Sequence, residues 1–152
     1  MHSYRLAFTD SVLSAFRPRG APARWNSEGT VMVYTSEHIA LSALEILTGW
    51  EAYPSLQGYH LYRATFAETH IVEAPESLDV HNKTLTRDFG DTWIREGQSL
   101  ALKVPSVVAP YSFNYLLNPA HPDFYNEVRL EPLGPFIFDK RIEGLTEAAK
   151  QV

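Results

Sequence analysis

Glu45 stands inside the run Ile39-Ala-Leu-Ser-Ala-Leu-Glu-Ile-Leu47, where its neighbours are apolar or small. Helical spacing sets it beside Leu41 and Thr48, and a charged side chain is rarely buried without a partner. It is therefore either a solvated helix edge or a carboxylate held for use. A second group lies in Leu102-Lys-Val-Pro-Ser-Val-Val-Ala-Pro-Tyr-Ser-Phe-Asn-Tyr-Leu-Leu-Asn-Pro-Ala-His-Pro-Asp-Phe124. This stretch is too apolar for a free loop and too proline-broken for a helix. It reads as a buried strand carrying one serine, then an ordered turn rich in Asn and Pro. Ser106, between Pro105 and Val107, either satisfies local backbone or faces a site. Arg24, in Arg-Trp-Asn-Ser-Glu-Gly, offers a planar fork suited to phosphate or carboxylate, or else stacks on Trp25 at the surface. Tyr34 gives a ring face and a hydroxyl, or is a core-edge aromatic. Asn114 and Asn118 are secondary candidates that read more simply as turn builders.

Absent chemistry narrows the choice. With no cysteine, disulfides, thiolate metal sites and Cys nucleophiles are excluded. No lysine follows a glycine, so there is no P-loop, and neither G-x-G-x-x-G nor G-x-S-x-G occurs. The six histidines never fall at H-x-x-x-H spacing, and His121, flanked by prolines, reads as fixing a turn. A net charge of −5 and a pI near 5.6 argue against direct nucleic-acid binding. A small anion is still admissible. Arginines outnumber lysines nine to four, and Arg5, Arg17, Arg19 and Arg24 crowd the first 24 residues. That pattern points to anion binding there, or to arginines decorating a surface loop. No apolar run approaches the ~20 residues of a membrane span, and Met1-His-Ser-Tyr-Arg5 lacks a secretory h-region, so a cytoplasmic protein is expected.

The elements that must carry these groups belong to one domain over residues 1–152, with no repeat or linker. Tyr4–Phe8 and Thr30–Tyr34 read as short strands, and Gly58–Phe66 as the longest one, with Ile71-Val72 following. Arg17–Ala23 is an irregular loop. Ser36 is expected to N-cap a helix through Leu47 that stops at Gly49. A short helix from Asp88 to Glu96 ends at Gly97, a strand from Ala101 to Val108 is interrupted at Pro105, and Pro122–Asn126 makes a helical turn. Val128–Leu130 and Phe136–Asp139 read as late strands. Leu145–Gln151 reads as a weak helix whose Leu145, Ala148, Ala149 and Val152 stripe docks on its own domain or meets a partner. Clustered strands with a few helices between them make this α+β, with a mixed β core and short flanking helices.

Taken in order, these segments resemble the RES-domain family of bacterial toxins, named for an Arg, a Glu and a Ser. The matching blocks are Gly20-Ala-Pro-Ala-Arg-Trp-Asn-Ser-Glu-Gly29, Val33-Tyr-Thr-Ser36 with Ala43-Leu-Glu-Ile-Leu47, and Phe89-Gly-Asp-Thr-Trp93. Val104-Pro-Ser-Val-Val108 through Asn114-Tyr-Leu-Leu-Asn-Pro-Ala-His-Pro-Asp123 matches best, and Phe136-Ile-Phe-Asp-Lys-Arg141 closes the pattern. Pro22-Ala23 stands where the family often has a glycine pair before the arginine.

The resemblance implies a compact relative of the ADP-ribosyltransferases that acts on NAD as substrate and needs no further cofactor or metal. It also implies a cognate DNA-binding antitoxin as partner and a possible homodimer. Arg24, Tyr34, Glu45 and Ser106 would form the NAD site, with Asn118 a further binding candidate. Arg24 would clamp the pyrophosphate and Tyr34 would stack on nicotinamide and orient it. Ser106 would bind a ribose or phosphate, and Glu45 would stabilise the oxocarbenium-like ribose. The ADP-ribosyl group would pass to water or phosphate. Two alternatives stand beside this: transfer to a cellular protein, and a non-catalytic binding module.

Overall fold

Residues 1–49 and 55–151 are described by the computed structural model, apart from the side chains of residues 146, 149 and 150. Strands β1 (His2–Ala7), β2 (Val33–Ser36), β3 (Tyr59–Thr65), β4 (Ile71–Glu73), β5 (Ala101–Pro105), β6 (Phe113–Leu117) and β7 (Arg129–Phe136) form a single sheet. Its order is β4-β5-β6-β2-β1-β3-β7. All neighbours are antiparallel except β4 and β5, so the sheet is mixed and the fold is α+β, as expected from the sequence. The helices are α1 (Val12–Ala15), α2 (Ile39–Thr48), α3 (Lys83–Glu96), α4 (Phe124–Glu127) and α5 (Lys140–Lys150).

Alternation along the central strands divides the core between the two faces of the sheet. Ala101, Tyr115, Leu117 and Val33 join Phe16, Tyr62, Phe66 and Phe124 in one cluster. Leu102, Val104 and Leu116 join Trp25, Met32 and Trp93 in another, with Tyr34 at its margin. Ser36 and Asn114 follow the parity of Tyr34 and Leu116, so they share the face that carries the Trp25 cluster. A third cluster, around Leu6, Tyr59 and Phe138, receives Ala43, Ile46 and Leu47 of α2.

Several elements differ from the sequence expectation. Asn114 lies within β6, paired with Ser36, and not in a turn. Its hairpin partner β5 stops at Pro105, so Ser106 sits just past the strand end. Ser36 closes β2 instead of capping α2, whose N-cap is His38 with no side-chain cap bond. Helix α3 starts at Lys83, five residues before Asp88, because the Asn82 side chain caps it by accepting from the Thr84 and Leu85 amides. Its end at Gly97 (φ +60°) is as expected. The two late strands are one, and β7 tolerates Pro132 and Pro135 because it is an edge strand. In α5, Ile142 packs on the Tyr59 cluster while Leu145 is 72% exposed, so Leu145 does not dock. The Ala149 side chain and Val152, expected on the same stripe, lie outside the described residues. Among the described residues no helix is long and apolar enough to cross a membrane, and no three His, Asp or Glu residues cluster for a metal.

Candidate active site

The Glu45 carboxylate is held from two elements distant in sequence. Its Oε1 accepts from the Ser106 hydroxyl at 3.0 Å and from the Asn114 side-chain amide at 2.7 Å. Ser106 Oγ in turn accepts from the Val108 and Ala109 amides, so its lone pairs are taken and its one proton goes to Glu45. Asn114 Oδ1 accepts from the Ser36 hydroxyl at 2.8 Å. Both bonds to Glu45 meet one oxygen, and among the described residues Oε2 has no partner. The carboxylate lines a cavity of about 540 Å³, together with Arg5, Tyr34, Ser36, Asn114 and the segment Ala21-Pro22-Ala23. That size suits a small organic ligand.

α2 comes to rest here because two contacts fix it. Ser42 Oγ donates to the Tyr4 carbonyl, tying the helix to β1. At its entry, the Glu37 amide donates to the Phe113 carbonyl and the Glu37 carboxylate accepts from the Phe113 amide, locking the β2–α2 junction to β6.

Ala21-Pro22-Ala23 of the cavity wall belong to a loop built around Asn26, which is 1% exposed. Its amide donates to the Ala21, Ser27 and Thr30 carbonyls, and its oxygen accepts from the Tyr34 hydroxyl at 2.6 Å. The Tyr34 hydroxyl also accepts from the Trp25 amide. Burial pushes that phenol up from 10.0 to about 12, against the lowering pull of the Trp25 bond and the Arg87 charge. One face of α3 anchors the same loop. Thr86 donates to the Arg24 carbonyl and Arg87 to the Ala23 carbonyl, while Asp91 accepts from the Ser27 amide. Burial raises the Asp91 carboxyl, but hydrogen bonds from Ser27 and Thr30 outweigh it and hold the group below its ordinary value. Gly90 permits the approach, since a Cβ there would lie 1.8 Å from the Trp25 carbonyl oxygen.

A family profile described as the RES domain matches residues 2–139. The chain belongs to the RES-domain family. A relative from Yersinia enterocolitica named Toxin Res is 28% identical, covering 94% of this chain and all of its own. Another Toxin Res, from Photorhabdus laumondii, is 28% identical over 91% of this chain and 95% of its own. A protein from Sphingobium sp. named Prs ADP-ribosylating toxin is 27% identical over 78% of this chain and 79% of its own.

In this RES domain the fold brings together Glu45 and Ser106, and sets Glu45 and Tyr34 on one cavity. Tyr34 is one of the cavity's lining residues, and its hydroxyl donates to Asn26 Oδ1 and accepts from the Trp25 amide. Arg24 donates through Nη1 to the Val80 carbonyl and is not a cavity wall; its charge, like that of Arg87, acts on the Tyr34 hydroxyl. Among the described residues Arg5 is the cation that lines the cavity, with Nη1 donating to the Tyr34 carbonyl and Nε to the Ala15 carbonyl. Asn118 is buried at the end of β6, where its oxygen accepts from the Ala120 amide, and it does not line the cavity. His121 accepts from the Asp123 amide and helps to fix that turn. Sequence reasoning underrated Asn114, Asn26 and Arg87. The signal for Asn114 was the alternation of Asn114-Tyr-Leu-Leu117 with Leu102-Lys-Val104, which marks a hairpin.

Proposed function

We propose that this chain is a cytoplasmic toxin that cleaves the nicotinamide–ribose bond of NAD and passes the ADP-ribosyl group to water or phosphate. The observation that carries this reading is the Glu45 carboxylate, gripped through Oε1 at a cavity edge with Oε2 left open. When the bond from ribose C1′ to the pyridinium nitrogen breaks, its electron pair goes to nitrogen, and nicotinamide leaves as a neutral ring. No general acid is needed. Positive charge develops on the ribose, and a fixed anion nearby lowers the energy of that transition state more than that of the ground state. The acceptor oxygen then bonds to C1′, and a water acceptor releases its proton to solvent. The Tyr34 ring is the face on which nicotinamide stacks. Arg24 and Arg87 do not line the cavity, but their charges both reach the Tyr34 hydroxyl and supply a positive field for the pyrophosphate. The toxin names of the relatives support the physiological half of the reading. Its cognate partner in this proposal is a DNA-binding antitoxin.

A second reading, transfer of ADP-ribose to a cellular protein, is favoured by the name of the Sphingobium relative, an ADP-ribosylating toxin. One experiment separates the two. Purified protein is incubated with NAD labelled in the adenylate half, with and without phosphate, and Glu45→Ala is run alongside. Nicotinamide release that the substitution abolishes, with all label in small molecules, is the expected result. Label that appears only on added cell proteins, with no release in their absence, would replace the first reading by the second.

A further inference from the structure

We infer that Asn114, oriented by Ser36, is the positioning residue that aims the Glu45 carboxylate. The inference rests on the reading of Glu45 as the charge-stabilising group. Asn114 touches no part of the expected reaction directly through a charge of its own. Its contribution is to decide which carboxylate oxygen faces the cavity.

The argument starts from the two ends of an amide. Asn114 meets Glu45 Oε1 at 2.7 Å and Ser36 Oγ at 2.8 Å. Turned the other way, the amide oxygen would face a carboxylate oxygen at that distance, two acceptors in repulsion. The NH₂ end must therefore point at Glu45, which commits the Ser36 hydroxyl to donate to the amide oxygen.

Each member is fixed by backbone pairing. Ser36 and Asn114 are direct cross-strand partners, Ser36 is buried, and the Glu37–Phe113 bonds clamp the next pair along. Ser106 alone would leave the carboxylate free to pivot about a single bond. With Asn114 added, Oε1 is held from two directions and Oε2 is the oxygen left for a ribose hydroxyl or the developing cation. A misplacement of about 1 Å in such a group can reduce a rate by about 100-fold.

The test uses Asn114→Leu, similar in size but without the donor and without added charge, and Ser36→Ala, which keeps the amide and frees it to turn. Crystal structures and NAD kinetics are obtained for both. In Asn114→Leu the Glu45 side chain is expected to leave its position against Ser106, with kcat for nicotinamide release about 100-fold lower and KM within about 3-fold. In Ser36→Ala the same displacement is expected in weaker form, with kcat about 5-fold lower, and this variant carries the test if Asn114→Leu does not fold. A Glu45 carboxylate unmoved in the variants overturns the inference whatever the kinetics. A displaced carboxylate with undiminished kcat overturns it too. If wild-type protein does not consume NAD but Glu45 is displaced in both variants, the NAD reading fails while the positioning role stands.

Discussion

The two walls of the cavity are built on opposite plans. On the side of the Ala21-Pro22-Ala23 loop, polar atoms are turned inward. Asn26 makes four hydrogen bonds, the Tyr34 hydroxyl makes two, and α3 contributes Thr86, Arg87 and Asp91 to the loop backbone. On the Glu45 side, the donors converge on one oxygen of a cavity-lining carboxylate and, among the described residues, leave its twin without a partner. A group whose bonding capacity is filled by its own fold stabilises the fold. A group held firmly on one side and open on the other can act on a ligand. Substitutions in the first wall should therefore register as stability, and substitutions in the second as rate.

The largest effect tests the reactive wall. Glu45→Gln keeps the shape and removes the charge, so nicotinamide release should fall by about 10²–10³-fold. The thermal midpoint should stay within about 4 °C, since no buried charge is left unpaired. A large fall in midpoint with little change in rate would reverse the assignment of the two walls.

Next comes the anchor of the other wall. Gly90→Ala would put a methyl group 1.8 Å from the Trp25 carbonyl oxygen, so either the loop or α3 must shift. The expected loss is about 3 kcal/mol in urea unfolding, with activity falling because Ala21-Pro22-Ala23 form part of the cavity. Unchanged stability would show that the loop is not seated on α3 at this point.

Tyr34→Phe tests the same wall from beneath. It removes a hydroxyl that partners the Trp25 amide and Asn26 Oδ1, and the orphaned groups should lower stability by about 2 kcal/mol at neutral pH. The ring face remains, so kcat should change less than in Glu45→Gln. The phenol also leaves a pH signature. Unfolded, it loses its proton near 10.0; folded, it keeps it until about 12. The folded state binds the extra proton across that window, so this contribution is complete below pH 10.0 and is lost as pH rises towards 12. In Tyr34→Phe, stability measured between those values should decline less steeply than in wild type. Equal slopes would mean the hydroxyl is not buried in the loop.

What was readable in the sequence follows the same division. Glu45 was legible because a carboxylate in an apolar helix is conspicuous, and Ser106 because a polar residue interrupts a strand-like run. Their convergence was not, since it depends on β5 and β6 pairing as a hairpin and on α2 returning over the sheet from Ser36. Asn114 was misread for the same reason: Asn and Pro around it imitate turn chemistry, and only the register opposite Ser36 reveals a strand. Arg24 was conspicuous by type, but a planar donor serves a backbone carbonyl as well as a phosphate, and its Val80 contact lies 56 residues away. The loop's real supports, at positions 86, 87, 90 and 91, share one helical face that becomes visible only once α3 is known to begin before Asp88.

The smallest effect concerns that beginning. Asn82 accepts from the Thr84 and Leu85 amides and so closes the open end of α3, one turn before Thr86 and Arg87 reach the loop. Asn82→Ala should lower stability by about 1 kcal/mol through the lost cap. Asn82 touches neither the loop nor the cavity, so any fraying must travel through Thr86 to be felt at Arg24. The expected result is a small shift in the urea midpoint with kcat and KM unchanged, and faster hydrogen exchange confined to the first turn of α3. A rise in KM for NAD would mean that the first turn of the helix, and not its middle at Gly90 and Asp91, holds the Ala21-Pro22-Ala23 wall in register with Glu45.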